Sequence, residues 1–199
     1  MYKTIAPLVL ASQSPRRRQL LSQMGINFSL ASADIEERRE PGEKAPDFVA
    51  RMAQSKALCV AGRYPDSWIL AADTIVVIDG DILGKPCDVT DACRMLKRLA
   101  GGWHEVFTAF TLHHQVLAKM SSMVDSSRVK ITALNESVIA AYVASGEPLD
   151  KAGSYAVQGI GGAFIEALDG SPTTVIGLPL TLVIQHLLDS QIISLNKIN

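Results

Sequence analysis

Several features that mark specialised classes of protein are missing or scarce in this sequence. Of its 199 residues only three are cysteines, Cys59, Cys87 and Cys93, and no CxxC pair occurs. An odd number of thiols without paired spacing is typical of reduced cysteines in a cytosol rather than of a disulfide framework. A zinc site is also disfavoured, because His113 and His114 are adjacent instead of three or four residues apart.

Long apolar runs and an excess of either charge are absent as well. No run approaches the roughly 20 apolar residues of a transmembrane helix, and residues 8–11 are too short for the core of a signal peptide. We therefore expect a cytoplasmic protein with no membrane partner. The formal net charge is -1, from 19 basic and 20 acidic residues. This balance argues against a nucleic-acid binder, which usually carries a basic field, but a few local arginines suffice for a small anionic ligand.

Two common signatures of hydrolases are missing too. The chain contains neither the P-loop pattern GxxxxGK[ST] nor the nucleophile pattern GxSxG. Its four histidines, His104, His113, His114 and His186, have no nucleophile partner that the sequence reveals. A P-loop nucleotidase and a serine-nucleophile hydrolase are therefore both disfavoured.

The composition that remains is that of an ordinary globular protein, with 48% hydrophobic and 20% charged residues. The length fits one domain or two small lobes. Apolar and β-branched runs predict strands at residues 8–11, 26–30, 68–78, 105–113, 115–124 and 127–134. Helical spacing and capping residues predict helices at residues 15–24, 45–61, 88–99, 135–144 and 177–189, and residues 154–168 read as glycine-rich and strand-like in parts. This alternation predicts an α/β fold with a mixed sheet.

The first candidate site is the turn between the first strand and the first helix. Ser14 is a favourable N-cap and Pro15 a favourable first helical residue, and three arginines follow. The N-terminus of a helix attracts anions, so Arg16 and Arg17 at this end require an anion or solvent to compensate their charge. The functional interpretation is a phosphate-binding turn, and the alternative is a solvated basic face.

The second candidate is an aspartate inside an apolar strand. Asp73 interrupts the run at residues 68–78, and a buried carboxylate is costly unless it is paired, hydrogen-bonded or bound to a metal. It is either a metal ligand or general base, or a structural aspartate bonded to the backbone. Glu37, on the charged segment 34–44, is a further possible oxygen ligand for Mg²⁺, although such runs are usually solvated loops.

Two further segments offer cationic and amide groups. Lys85 stands between Gly84 and Pro86, on a constrained loop from which an ammonium can reach a phosphate. Lys151 and Gln158 lie in a stretch with several glycines, which allow close approach of the backbone to a ligand. The amide of Gln158 both donates and accepts, as recognition of a base edge requires. The alternative is a glycine-rich turn with structural polar residues.

Five of these segments, in this order, resemble the Maf family of nucleotide pyrophosphatases. They are Leu10-Ala11-Ser12-Gln13-Ser14-Pro15-Arg16-Arg17, Ala72-Asp73-Thr74-Ile75-Val76, Gly84-Lys85-Pro86, the stretch from Glu147 to Tyr155, and Ile176-Gly177-Leu178-Pro179. The resemblance covers nearly the whole chain. It implies an elongated α/β fold, with a mixed sheet and flanking helices, related to the inosine triphosphate pyrophosphatases. It also implies a site in a cleft between two lobes, and a homodimer.

The resemblance further implies hydrolysis of a nucleoside triphosphate between the α- and β-phosphates, with Mg²⁺ or Mn²⁺ as cofactor. Carried over by position, the phosphate-binding turn is Ser14, Arg16 and Arg17, and the cleft lysines are Lys56 and Lys85. The acidic residues at the metal are Glu37 and Asp73, with Asp73 also similar to the proposed general base. Substrate choice is linked to Arg16, Thr74 and Gln158, and Lys151 belongs to the substrate-binding segment. The segment from Asp150 to Gln158 is similar to the branch that acts on dTTP and UTP.

Two other functions compete with this interpretation. One is a pyrophosphatase for 7-methyl-GTP or damaged nucleotides. The other is a nucleotide-binding regulator of cell division with little catalysis, since the family has been associated with septum formation. A pure binder does not need Asp73 and Glu37 to hold a reactive metal, so measured pyrophosphate release separates the alternatives.

Overall fold

The computed structural model describes residues 1–196, in which helices and strands alternate as the sequence predicts. The strands are β1 (Tyr2–Thr4), β2 (Leu8–Ala11), β3 (Ser29–Ala31), β4 (Trp68–Ile78), β5 (Asp81–Leu83), β6 (Trp103–His114), β7 (Lys119–Ile131), β8 (Ile165–Asp169) and β9 (Ile193–Leu195). The helices are α1 (Pro15–Gln23), α2 (Ala45–Ala61), α3 (Val89–Leu99), α4 (Glu136–Ala144), α5 (Pro172–Ile176) and α6 (Leu180–Asp189). Short 3-10 turns lie at Glu147–Asp150, Ala152–Ser154 and Ile160–Phe164.

The main sheet mixes parallel and antiparallel strands, in the order β3-β2-β4-β6-β7-β8, with β5 paired to β4. Strand β2 is parallel to both β3 and β4, whereas β5 and β8 are antiparallel to β4 and β7. Strands β1 and β9 form a separate antiparallel pair. The predicted α/β class with a mixed sheet is confirmed.

The chain divides into two compact units, and the long strands β4, β6 and β7 contribute residues to each. Unit 1 comprises Met1–Asp73, Thr108–Asp125 and the described residues from Gly177 onward. Unit 2 comprises Thr74–Phe107 and Ser126–Ile176. The assignment of the whole chain to a single domain with two lobes stays a prediction.

The core of unit 1 brings α2 close to the β2–β4 pair. Ala57, Val60 and Ala61 of α2 pack with Val9 of β2 and Ile69 of β4, and all are buried. Small alanine side chains let the helix lie close to the sheet, and their burial removes apolar surface from water. As a result, the end of β2 and the side chain of Lys56 on α2 occupy fixed positions relative to β4.

Unit 2 has its own core, in which α3 and α4 pack beside the second half of β4. Val76 of β4 lies in one buried cluster with Leu96 and Leu99 of α3 and with Ile139 and Tyr142 of α4. The two units therefore each meet the requirement for a separate hydrophobic interior.

Two predictions about strands were wrong in their bounds. The sequence predicts separate strands at residues 115–124 and 127–134, but the structure has one strand, β7, over Lys119–Ile131. Strand β7 lies between β6 and β8 in the sheet, and this tertiary pairing outweighs the weak strand preference of the serine and aspartate residues in its middle. The strand predicted at residues 26–30 is shorter and later, at Ser29–Ala31.

The glycine-rich segment at residues 154–168 forms mainly turns, and its strand begins only at Ile165. The last helix begins at Leu180, after the predicted Gly177-Leu178-Pro179 start. Within residues 1–196, no helix combines the length and the apolar character needed to span a bilayer.

Candidate active site

The turn that follows β2 has the geometry predicted for a helix start. Ser14 is the N-cap of α1, where its hydroxyl accepts a hydrogen bond from the N–H of Arg17 at 3.4 Å, and Pro15 begins the helix. The N–H of Ser14 in turn donates to the Ser12 hydroxyl at 3.2 Å. The first turn of α1 contains no acidic residue, so the positive end of the helix dipole is not neutralised locally. This end of α1 is therefore suited to an anion.

Arg17 connects this turn to two distant segments of unit 1. Its Nε donates to the carbonyl of Gly177 at 2.6 Å, and its Nη1 donates to the carbonyl of Ala72 at 2.8 Å and to the Ser12 hydroxyl at 3.3 Å. Burial lowers the pKa of the guanidinium, while the negative charge of Asp73 opposes that shift. Because Ala72 immediately precedes Asp73, Arg17 holds the turn beside the strand segment that carries the aspartate.

Asp73 lies in β4, where every residue but the half-buried Thr74 is buried, and its carboxylate meets a lysine from α2. The Nζ of Lys56 is 2.6 Å from Asp73 Oδ1 and 2.5 Å from Glu37 Oε1. The Asp73 and Lys56 side chains are only 9% and 13% exposed, whereas the Glu37 side chain is 50% exposed. Burial raises the pKa of the Asp73 carboxyl, and the ammonium of Lys56 opposes the rise.

The two carboxylates that meet on Lys56 form a hard-oxygen donor set. Carboxylate oxygens are the ligands that Mg²⁺ and Mn²⁺ prefer, and Mg²⁺ usually takes one or two carboxylates together with water and phosphate oxygens. No group of three or more histidine, cysteine, aspartate or glutamate residues suited to a metal occurs in the part of the chain that the structure describes. Asp73 and Glu37 thus offer two of the oxygen ligands that such a metal takes.

Glu37 sits on a loop that a bidentate ion pair fastens to α2. Arg51 donates through Nε and Nη2 to the two carboxylate oxygens of Glu43, each at 2.6 Å, and through Nη2 to the carbonyl of Arg38 at 2.9 Å. The Arg39 guanidinium also donates to the Glu43 carbonyl. The hydrogen bonds from Arg51 lower the pKa of the Glu43 carboxyl to about 2. The Glu37 loop is therefore anchored on its C-terminal side.

The remaining predicted site residues belong to unit 2. Thr74 is half-buried in β4, while Lys85 and Gln158 are exposed. The ammonium of Lys151 is held by the carbonyl of Glu147 and by the Asp150 carboxylate, the latter at 2.6 Å. The N–H of Gly153 donates to the carbonyl of Gly84 at 3.0 Å, which joins the Lys85 loop to the segment after Lys151.

The structure thus brings together Ser14, Arg17, Glu37, Lys56 and Asp73 within unit 1, with Arg16 next to them on α1. It also links the Lys85 and Lys151 segments within unit 2. The sequence interpretation missed Ser12 and the carbonyl of Gly177 as partners of Arg17. The position of Ser12, directly after a buried strand and two residues before an N-cap, was the only local signal of its role.

Comparisons with known proteins show the family of this chain. The family model described as "Maf-like protein" matches residues 7–190. Relatives called dTTP/UTP pyrophosphatase include one from Desulfotalea psychrophila, 45% identical, with 98% of this chain and 100% of the relative covered. Another, from Hahella chejuensis, is 49% identical over 87% of each chain, and one from Geobacter metallireducens is 46% identical over 90% of this chain and 94% of its own.

One solved structure shares the fold at low sequence identity. The Ham1 protein from Staphylococcus aureus is 12% identical, with a TM-score of 0.52 and with 93% of this chain and 99% of that chain covered. At this identity the likeness concerns the fold alone.

Proposed function

This chain belongs to the Maf family, and we propose that it hydrolyses dTTP and UTP to the nucleoside monophosphate and pyrophosphate with the help of a divalent metal ion. The single observation that carries the proposal is the buried carboxylate of Asp73, which shares the Lys56 ammonium with Glu37. The residue before Asp73 accepts a hydrogen bond from Arg17 of the turn at the start of α1. A carboxylate pair therefore stands beside an anion-binding turn, as hydrolysis of a phosphoanhydride requires.

The turn at Ser14 supplies the groups that bind phosphate. The N-terminal end of α1 attracts an anion through the helix dipole, and the guanidinium of Arg16 adds a planar pair of donors. Arg17 contributes positive charge, and the hydrogen bonds from its side chain to the carbonyls of Gly177 and Ala72 keep the turn in place. Phosphoryl substitution depends chiefly on positioning and charge neutralisation, so this rigid cationic turn serves both needs.

Asp73 and Glu37 are the residues that would hold Mg²⁺ or Mn²⁺. When bound there, a divalent metal neutralises phosphate charge and lowers the pKa of a water molecule. Lys56 keeps the two carboxylates close together before substrate arrives, which reduces the cost of bringing two negative charges into one place.

Asp73 is the proposed general base. Its oxygen accepts a proton from the water whose oxygen forms the new bond to the α-phosphorus, while the bond from that phosphorus to the α–β bridging oxygen breaks. Pyrophosphate leaves with the electron pair of that bond. Burial, which raises the pKa of the Asp73 carboxyl, makes its carboxylate a stronger base than an exposed aspartate.

Thr74, Lys85, Lys151 and Gln158 are proposed as further substrate contacts. The lysines carry the charge that phosphates bind, and the Gln158 amide carries the donor and acceptor that the edge of a pyrimidine presents. The relatives named above support a preference for dTTP and UTP over 7-methyl-GTP or damaged nucleotides.

The experiment that tests the proposal is a comparison of pyrophosphate release from dTTP, UTP, CTP and 7-methyl-GTP, with Mg²⁺ or Mn²⁺ and with excess chelator. We expect fastest release from dTTP and UTP, and none with chelator. The variant Asp73→Asn keeps the shape of the side chain and should lose most turnover while remaining folded. Asp81→Asn, which alters an exposed ion pair with Arg98, is the matched control. Tight nucleotide binding without pyrophosphate release would favour the regulator instead.

We also propose that the protein acts in the cytoplasm as a homodimer. The three cysteines are free thiols in the structure, which is compatible with a reducing compartment. Light scattering of the purified protein should give twice the mass of the 21.4 kDa chain.

A further inference from the structure

The loop that carries Gln158 is held from both sides by one glutamate and one tyrosine. Oε2 of Glu147 accepts the N–H of Ile160, and Oε1 accepts the N–H of Gly161, each at 2.9 Å. Oε1 also accepts the Tyr142 hydroxyl at 2.9 Å, and that hydroxyl oxygen accepts the N–H of Ala156 at 3.2 Å. Gln158 lies between these two sets of bonds in the chain, so both flanks of its loop are fixed to the same carboxylate–phenol pair.

Two glycines allow the loop to close on this pair. Gly159 has φ +83°, a backbone conformation that only glycine adopts readily, and a Cβ there would run into the Glu147 carboxylate. A Cβ at Gly161 would lie 2.5 Å from the Tyr142 hydroxyl oxygen and 2.6 Å from the carbonyl oxygen of Ala156. A side chain at either position would collide with the Glu147 carboxylate or the Tyr142 hydroxyl, so the two glycines are what lets the backbone come this close.

The negative charge of Glu147 strengthens the hydrogen bonds that it accepts from the loop. Burial acts to raise its pKa, but the hydrogen bonds from Gly161, Ile160 and Tyr142 outweigh burial and bring the pKa below its usual value. The group is thus a carboxylate at neutral pH, and it accepts from backbone donors more strongly than a neutral group would.

We propose that Glu147, with Tyr142 as its partner, is a positioning residue that fixes the Gln158 amide for recognition of the uracil or thymine edge. The inference rests on the proposed function. An exposed glutamine on a mobile loop loses much backbone and side-chain freedom when it binds a base. A loop that is already ordered avoids that loss, so Glu147 acts on affinity for the base without contact with the reacting phosphates.

The test replaces the carboxylate without changing its volume. Glu147→Gln leaves one accepting oxygen, so one of the two backbone N–H groups loses its partner. We expect KM for dTTP and UTP to rise about tenfold with kcat within about twofold, because one charged hydrogen bond is worth roughly that factor. The preference for UTP over CTP should fall at the same time. Tyr142→Phe should shift both in the same direction by a smaller factor, and Glu136→Gln, an exposed partner of Lys97 in the same unit, should change neither.

Binding measurements separate this inference from the proposed function. Calorimetry with a non-hydrolysable UTP analogue and with tripolyphosphate, which has no base, gives affinities that do not depend on turnover. Weaker binding of the analogue by Glu147→Gln, with unchanged binding of tripolyphosphate, supports the positioning role. Equal loss for both ligands, or no loss for either, overturns it.

If wild type releases no pyrophosphate from any nucleotide, the proposed function fails while the binding comparison still decides the inference. If Glu147→Gln proves unfolded by circular dichroism, the same comparison with Tyr142→Phe decides it.

Discussion

At the scale of single residues, the Lys56–Asp73 pair shows how a costly buried charge is tolerated. Both side chains are nearly removed from solvent, and their opposite charges neutralise each other, with Lys56 Nζ 2.6 Å from Asp73 Oδ1. Removal of one partner from such a pair leaves an uncompensated buried charge and typically costs about 3 kcal/mol or more. We predict that Lys56→Met lowers the free energy of unfolding at pH 8 by about that amount, as measured by urea denaturation.

The loss should depend on pH in a defined direction. The folded pKa of Asp73 is already raised by burial, so its ionisation destabilises the fold as pH rises through that value. Without Lys56 the pKa rises further, and the loss in Lys56→Met should therefore be smaller at pH 5 than at pH 8. The double variant Lys56→Met/Asp73→Asn should recover part of the stability. Lys130→Met, which breaks a more exposed pair with Glu166, should cost less than about 1 kcal/mol. Equal losses at Lys56 and Lys130 would contradict this account.

His104 is a second buried group whose charged form destabilises the folded protein. Its Nε2 lies 2.7 Å from the Tyr155 hydroxyl, and its buried Nδ1 has no hydrogen-bond partner among residues 1–196. Burial lowers the pKa of His104 from 6.5 to about 4. The neutral ring is thus favoured in the fold, and its contribution to stability is complete above pH 6.5 and is lost as pH falls toward 4. The difference between the two pKa values corresponds to a loss of about 3 kcal/mol in the free energy of unfolding over that range.

We predict that His104→Gln removes this part of the pH dependence. A glutamine keeps a polar group near Tyr155 but does not gain a proton in this range. Urea denaturation at pH 7, 6, 5 and 4 should show wild type losing more stability than His104→Gln toward acid. His113→Gln, which alters a ring bonded to the Lys119 carbonyl, should keep the wild-type slope. Parallel curves for wild type and His104→Gln would show that the ring is protonated without cost.

At the scale of elements, sequence and structure agree wherever the signal is local. Ser14, Asp88 and Asn135 are N-caps that accept a backbone N–H in the first turn. The sequence predicts Ser14 as a cap, whereas it predicts Asp88 as the first residue of the helix itself. The sequence Asp79-Gly80 is a local hairpin signal of the same kind: Ile78 pairs with Asp81, and both turn residues have positive φ.

Features that depend on contacts between distant segments cannot be read from the sequence in the same way. The continuity of β7 through its polar middle depends on neighbouring strands, and the sequence alone divided it in two. The importance of Glu147 depends on backbone donors of Ile160 and Gly161, 13 and 14 residues away. By contrast, Asp73 was conspicuous because a carboxylate in an apolar strand is unusual in any fold.

The loop that carries Glu37 offers a prediction at this scale. Arg51 of α2 binds the Glu43 carboxylate with two hydrogen bonds and holds the Arg38 carbonyl with a third. We predict that Arg51→Met speeds amide hydrogen exchange in residues 38–43 by about tenfold or more, because the loop of the variant can open without first breaking these hydrogen bonds. If Glu37 holds metal as proposed, the Mg²⁺ concentration for half-maximal activity should rise as well.

The matched control for this loop is Arg94→Met, which removes an ion pair with Asp91 within α3. Its exchange pattern in residues 38–43 should equal that of wild type. The effect of Arg51→Met should also be present throughout the range above pH 4.5, since Glu43 is stabilised as a carboxylate down to about pH 2. Unchanged exchange in Arg51→Met would show that other contacts hold the loop.

At the scale of the whole molecule, binding should appear as added stability. A ligand that binds only the folded state stabilises it by about 2.7 kcal/mol at one hundred times its Kd. For a chain of this size that corresponds to a rise in Tm of about 5–10 °C. We predict such a rise in thermal unfolding with a non-hydrolysable UTP analogue and Mn²⁺ together. Asp73→Asn should show less than half of the rise, because it loses a ligand to the metal, while Asp81→Asn should show all of it. A full rise in Asp73→Asn would remove Asp73 from metal binding and confine it to proton transfer.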